Sequence, residues 1–240
     1  MTSSRPFTAI GRDDAFATTT LRRSDGRTVT LVAVMHVAPP QFWALTQAQL
    51  DTPEAGGAAI HCEGVGDNQH GRPVSDVIRD VLIFAALRSV TGWLRLVCGW
   101  QRQRRGLTYR LSWETHDVST GRALAAAPTS RLLRRTLATV ITAPLAALLL
   151  RRGIFRVHQI QDGDSGLGLI DDRNRYAIDQ ALAADRDVAL LWGAGHIPGM
   201  VDLLEADGFR VDGIRWRQFW PDGAQPNRRP GLRYTADTAV

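Results

Sequence analysis

Two of the six histidines in this 240-residue chain close hydrophobic segments in matched contexts. Ala33-Val34-Met35-His36 ends the run Thr28 to Met35, and Gly193-Ala194-Gly195-His196 follows the run Asp187 to Trp192. Each histidine is followed by proline, Pro39-Pro40 or Pro198, where a helix is expected to begin. Imidazole is a general base near neutral pH and a ligand for borderline-soft metals. A single histidine in such a place reads equally as a helix cap or a satisfied core side chain. Two of them, at two strand ends, favour convergence on one crevice.

Glu63 is the third candidate. Glutamate is scarce, with four in the chain, yet Glu63 follows the strand-like Ala58-Ala59-Ile60-His61-Cys62. A buried carboxylate is costly unless it is paired or binds a metal. Strand alternation puts His61 and Glu63 on one face and Cys62 on the other. The alternative is a strand that stops at Cys62 and leaves Glu63 in solvent. Arg173, in Asp171-Asp172-Arg173-Asn174, borders the apolar stripe of a predicted helix. A buried guanidinium there requires a carboxylate such as Glu63, or a bound anion; otherwise it is an ordinary surface arginine beside aspartates.

The elements that must position these groups alternate in type. Thr28 to Met35, Ala58 to Glu63 and Asp187 to Trp192 read as strands, and Phe209 to Phe219 as a last strand or hairpin. Pro39 to Leu50, Leu169 to Ala184 and Met200 to Asp207 read as helices. This predicts an α/β fold: a mostly parallel or mixed sheet flanked by helices, in one domain over residues 1–240. In such sheets ligands sit at the carboxyl ends of the strands.

Charge divides the chain differently. All 29 basic residues are arginine, and the net charge is +5. Residues 72–157 carry 15 arginines and four acids, Asp76, Asp80, Glu114 and Asp117, whereas the remainder is net negative. The same stretch holds two long apolar segments, Val77 to Cys98 and Thr136 to Leu150. At ~1.5 Å per residue the second would reach about 22 Å, short of a ~30 Å hydrocarbon core, and Pro144 would kink it. Residues 72–157 are therefore expected to form an inserted basic helical subdomain whose removal leaves a soluble core. It is either a buried helical pair with solvated arginines or an element that touches an anionic membrane surface.

Other classes are excluded. The charge distribution does not suit nucleic acid, and no lysine is present for Schiff-base or P-loop chemistry. Two cysteines, Cys62 and Cys98, cannot build a disulfide framework and fit a reducing cytoplasm. The N-terminus lacks the apolar core of a secretory signal. Residues 222–240 read as a loose tail. Gly193-x-Gly195 lacks the third glycine of a dinucleotide fingerprint, no Gly-x-Ser-x-Gly elbow occurs, and Asp162 to Gly166 lacks the acid that closes a calcium loop.

His36, Glu63, Asp172-Arg173-Asn174 and Trp192-Gly193-Ala194-Gly195-His196-Ile197-Pro198-Gly199 together resemble the TraB/PrgY/GumN family. That family is related to the Tiki proteases and, more distantly, to erythromycin esterases and ChaN-like proteins. Its pattern is a GxxH, a Glu, an Arg and a second GxxH. The second motif matches as Gly193 to His196; in the first, Ala33 replaces the glycine. Trp113-Glu114-Thr115-His116-Asp117 resembles a segment these proteins carry before a helical insertion. The resemblance covers about residues 28–66 and 165–218. It implies a catalytic set of His36, Glu63, Arg173 and His196, with Gly193, Gly195 and Asp117 beside a bound cofactor.

Two functions follow as expectations. One is a metal-dependent hydrolase of peptide or ester bonds, with His36, Glu63 and His196 holding manganese, cobalt or zinc and generating a metal-bound hydroxide. Arg173 would stabilise the oxyanion or hold Glu63. Without a metal, His36 becomes the general base and Glu63 orients it. The other is a non-catalytic, membrane-associated binder of a peptide or small ligand, as in pheromone-shutdown proteins. A second copy of the chain is a further candidate partner.

Overall fold

The computed structural model describes residues 7–11, 13–64, 74–118, 129–157 and 170–220. The expected tail at 222–240 and the rejected calcium loop lie outside the described residues.

Six strands form one mixed sheet in the order β6-β4-β7-β2-β1-β8. These are β1 (Ala15–Arg22), β2 (Thr28–Val34), β4 (Ala59–Cys62), β6 (Glu114–Thr115), β7 (Val188–Gly193) and β8 (Arg210–Gln218). The first four in that order run parallel, and β2-β1 and β1-β8 are antiparallel. A short antiparallel pair stands apart, β3 (Val37–Ala38) against β5 (Gln101–Arg102). The helices are α1 (Pro40–Ala55), α2 (Val74–Cys98), α3 (Gln103–Gly106), α4 (Thr129–Arg151), α5 (Asp171–Ala183) and α6 (Ile197–Ala206).

The predicted α/β fold is observed. β2 and β7 are continuous apolar runs because both faces are covered, and they pair from Val29↔Val188 to Val34↔Gly193. The long C-terminal segment is one strand, not a hairpin. β8 forms the sheet edge, and nearly all its residues are exposed, including Arg210, Asp212 and Arg215. Such charges blunt an edge against pairing with another chain. β1 is a strand that the apolar pattern of the sequence does not predict. Its AFATTTLR pattern has three threonines in eight residues, yet Thr18 and Thr19 are buried. Threonine fits a buried strand through its β-branch, a preference that apolar periodicity does not register.

The chain passes from β2 through α1 to β4 and leaves a gap that β7 later fills. β7 thus ends between the carboxyl ends of β2 and β4, so the segments following all three strands converge there.

The expected helical insertion needs new boundaries. α2 and α4 pack side by side, but residues 100–118 between them belong to the body. β6 is a strand of the main sheet, and β5 and α3 sit against β3 and α1. Trp43 Nε1 donates to Gln101 O at 3.1 Å, and Gly106 lies so close to the Trp43 ring that a Cβ there would fall 2.1 Å from Cγ. Removing 72–157 would therefore take part of the sheet with it.

α4 is also longer than the uncharged stretch suggested. It has 23 residues and runs through Pro144 without a break. At ~1.5 Å per residue that is about 35 Å. By length and composition alone it could cross a membrane, with a mean hydropathy of 1.4 and 22% of that window buried. Its outward face holds Leu137, Val140, Ile141 and Leu145, beside exposed Val81, Phe84, Trp93 and Leu96 of α2.

Candidate functional site

Glu63 leaves the end of β4 and turns inward, its side chain 8% exposed. The Gly193 N–H donates to Glu63 Oε2 at 2.7 Å, and Arg173 Nη2 donates to Oε1 at 2.7 Å. A Cβ on residue 193 would stand 3.1 Å from Oε2, so glycine is what lets the carboxylate reach the backbone. Arg173 comes from the first turn of α5. Its Nε and Nη2 also grip Asp117, at 2.9 and 2.5 Å, in a two-pronged pair just past β6. The guanidinium lies over the Trp192 ring, 5.6 Å from its centroid.

His196 closes the short 3-10 turn between β7 and α6. Its Nδ1–H donates to Asn174 Oδ1 at 2.7 Å, and Asn174 Nδ2 donates to the His196 carbonyl at 3.2 Å. This pair fixes the tautomer and leaves Nε2 as an acceptor, 3.2 Å from Arg173 Nη1. Gly199 makes the arrangement possible, because a Cβ there would lie 2.6 Å from Asn174 Nδ2.

The electrostatics follow. Burial opposes ionisation of Glu63, but His36, Arg173, His196 and the Gly193 N–H outweigh it and hold the carboxyl at about 2. Burial lowers His196 to about 4, assisted by the positive fields of Arg173 and His36 and resisted by Glu63. Asp117 moves upward because its burial exceeds the pull of Arg173. Arg173 is raised above its usual value: burial works against the cation, and Asp117 and Glu63 overcome it. At neutral pH the cluster is an ionised Glu63, a charged Arg173 and a neutral His196.

His36 lies between β2 and β3 with an exposed side chain, and its carbonyl accepts from the Gln103 N–H at 3.0 Å. Its field reaches both Glu63 and His196. The structure therefore brings Glu63, Arg173, His196, Asp117 and Gly193 into one network, with His36 at its solvent edge. Gly195 stands apart: a Cβ there would meet nothing within 4 Å. Asp117 and Gly193 act on Arg173 and Glu63.

The expected metal set fares differently. Both oxygens of Glu63 and both ring nitrogens of His196 are already hydrogen-bonded, and a guanidinium stands where a cation would bridge them. His36, Glu63 and His196 as arranged do not fit a metal ion. A different group does. His61 of β4 pairs in register with Glu114 of β6, and His116 follows, so that ligand atoms of all three lie within 4.8 Å of one another. His116 Nε2 and Glu114 Oε2 are 2.8 Å apart, and the His61 and His116 rings are 4.2 Å apart. His61 is buried, and its Nδ1 has no hydrogen-bond partner. This group can hold a metal ion, with two imidazoles and a carboxylate.

Strand alternation puts His61 on the face of Glu63, while Glu114 and His116 carry no role in the sequence beyond their motif. The x-y-x spacing Glu114-Thr115-His116 was the available signal, since alternate residues share a strand face. The role of Asn174 is visible only in its tertiary contact with His196.

Comparison with known proteins finds no matching family model, no matching curated protein and no matching solved structure.

Proposed function

We propose that this protein hydrolyses an ester or peptide bond at the crevice where β2, β4 and β7 end. The observation that supports this reading best is His36, exposed and within the field of a buried, ionised Glu63. In this role the His36 imidazole takes a proton from water as the oxygen adds to the substrate carbonyl. Glu63 stabilises the imidazolium that forms. The imidazolium then returns the proton to the leaving oxygen or nitrogen as the tetrahedral intermediate collapses. Arg173, committed to Asp117 and Glu63, positions Glu63; it is not the oxyanion donor. The resemblance to the TraB/PrgY/GumN family, through His36, Glu63, Arg173 and His196, supports the same reading.

A divalent ion, if the reaction uses one, belongs to His61, Glu114 and His116, whose donors suit manganese, cobalt or zinc. It would anchor β6 beside β4 and so hold Asp117 against Arg173.

A second reading has its own support. The exposed apolar face of α2 and α4, flanked by Arg88, Arg95, Arg131, Arg134 and Arg151, suits a cytoplasmic protein peripheral to an anionic membrane. Such a protein could hold a ligand in the crevice without turning it over.

The deciding experiment is hydrolysis of a panel of esters and short peptides by wild type, His36→Ala and His36→Gln. The hydrolase reading expects a loss of about 10²–10⁴-fold in both variants. Activity that survives His36→Gln removes His36 as the base, and a wild type that turns over no member of the panel removes the hydrolase reading and leaves the binding one.

A further inference from the structure

Beside His36 is a cavity of about 470 Å³ that the chemistry above leaves unused. One end is formed by Met35, His36 and Gly193, at the crevice. The other runs between the two long helices, against Val90 and Leu94 of α2 and Leu132 and Thr136 of α4. Its volume lies in the ~300–1,000 Å³ range of small-molecule sites.

The walls select a chemistry. Leu94 and Leu132 are buried apolar side chains, and Met35 and Val90 pack against the same core. Of the polar lining residues Thr91, Arg135, Thr136 and Thr139, the Thr136 and Thr91 hydroxyls are spent on the Leu82 and Arg88 carbonyls, to which they donate at 3.1 and 3.3 Å. A peptide or sugar entering this space would lose hydrogen bonds to water and find few replacements, which is costly. A hydrocarbon chain loses none. The reactive end of such a chain would stop beside His36 and Glu63.

The surroundings agree. The helices that wall the cavity expose Val81, Leu96, Ile141 and Leu145, and the same helices carry exposed Arg88, Arg131 and Arg134. An aggregate of anionic amphiphiles matches that surface in both polarity and charge. One helix pair therefore presents an apolar exterior to such an aggregate and an apolar interior to the crevice.

We infer that the cavity is an acyl-chain pocket, and that the bond broken at His36 is an ester of a medium-length fatty acid. This inference rests on the hydrolase reading and adds the substrate class to it. The ester oxygen leaves as an alcohol after taking the proton held by His36, and the fatty acid departs as its carboxylate.

The test uses full-length protein, p-nitrophenyl esters from acetate to laurate, and binding of the fluorescent fatty acid dansylundecanoate, which needs no turnover. Each buried methylene should raise kcat/KM about fourfold until the cavity is full. Val90→Trp should lower the ratio of decanoyl to acetyl kcat/KM by at least tenfold and weaken dansylundecanoate binding to a similar extent. Leu87→Trp, at a half-exposed lining position that accepts a larger side chain, should shift the plateau to shorter chains. A flat chain-length profile with clear turnover would overturn the pocket and leave the hydrolase intact. Saturable dansylundecanoate binding, weakened by Val90→Trp but without hydrolysis of any ester, would support the pocket and overturn the hydrolase. Absence of both turnover and saturable binding overturns both.

Discussion

Arg173 is a cation shared by two buried carboxylates, so its removal is the sharpest perturbation of the site. The Glu63 and Asp117 side chains are 8% and 1% exposed. Arg173→Met keeps most of the volume over Trp192 but leaves both acids without their counter-ion. Breaking a buried pair in this way costs about 3–5 kcal/mol. The sign of the pH dependence follows from Glu63. Its carboxyl sits at about 2 in the folded chain against 4.5 ordinarily. That shift contributes stability present above pH 4.5 and lost as pH falls toward 2, worth roughly 3 kcal/mol at full extent. In Arg173→Met the orphaned acids take up protons at higher pH, so the variant approaches wild type as the solution is acidified. Urea unfolding followed by circular dichroism at pH 7 and pH 4 measures this directly. The midpoint should drop sharply at pH 7, and the gap should narrow by pH 4. Arg173→Lys, which keeps charge but not the two-pronged geometry, should fall between the two. A loss below about 1 kcal/mol at pH 7, or an equal loss at both pH values, refutes the assignment of Arg173 as counter-ion to the two acids.

Gly193→Ala should cost about 1–3 kcal/mol and raise the Glu63 pKa, because the new methyl crowds the carboxylate; thermal melts and carbon-detected NMR titration check both. His196, held at about 4 against 6.5 ordinarily, makes the unfolded chain the better proton acceptor below pH 6.5. Stability should thus fall by about 2 kcal/mol between pH 7 and pH 5 from this group, and His196→Gln should flatten that slope in denaturant titrations. Cobalt should bind with one-to-one stoichiometry and give a visible absorption band that His61→Ala and His116→Ala abolish and His36→Ala preserves; a band lost with His36→Ala but kept with His61→Ala would return the metal to the crevice. Co-sedimentation with phosphatidylserine vesicles should be strong at low salt and weak at high salt, each well-placed arginine contributing about 1 kcal/mol, and Ile141→Glu should reduce it; indifference to anionic vesicles removes the membrane reading.

The sequence spoke most clearly where one physical requirement dominated. Strands buried on both faces must be continuously apolar, so β2, β4 and β7 were readable, and with them the strand ends that hold His36, Glu63 and His196. Of the glycines in Gly193 to Gly199, Gly193 admits the Glu63 carboxylate and Gly199 the Asn174 amide, contacts that the motif alone does not specify. Pairing was beyond reach. His116 and Asp117 follow a two-residue strand, Glu114–Thr115, whose identity depends on β4 alongside it, and two residues have no periodicity to detect. The metal set failed for a related reason. Residue types proposed His36, Glu63 and His196 as ligands, but only the tertiary structure reveals that Arg173 donates to Glu63 and stands against His196 Nε2, where a cation would bridge the two.

The connection between the basic helices and the crevice is built into the backbone. α2 ends at Cys98, and the chain then forms β5, whose Gln101 and Arg102 pair with Ala38 and Val37 of β3. The next N–H, from Gln103, holds the His36 carbonyl. The proposed base is therefore clamped between the strand that positions it and the segment leaving α2. Farther along the same stretch, Asp117 supplies the second carboxylate for Arg173. Residues 72–157 thus furnish a strand of the sheet, an anchor for His36 and the partner of Arg173, besides the helices that wall the cavity. A deletion spanning all of them would dismantle the site while appearing to remove only an insertion. A cut confined to the outer apolar face, by substitution at Leu96, Ile141 and Leu145, separates contact with an amphiphile surface from the integrity of the crevice.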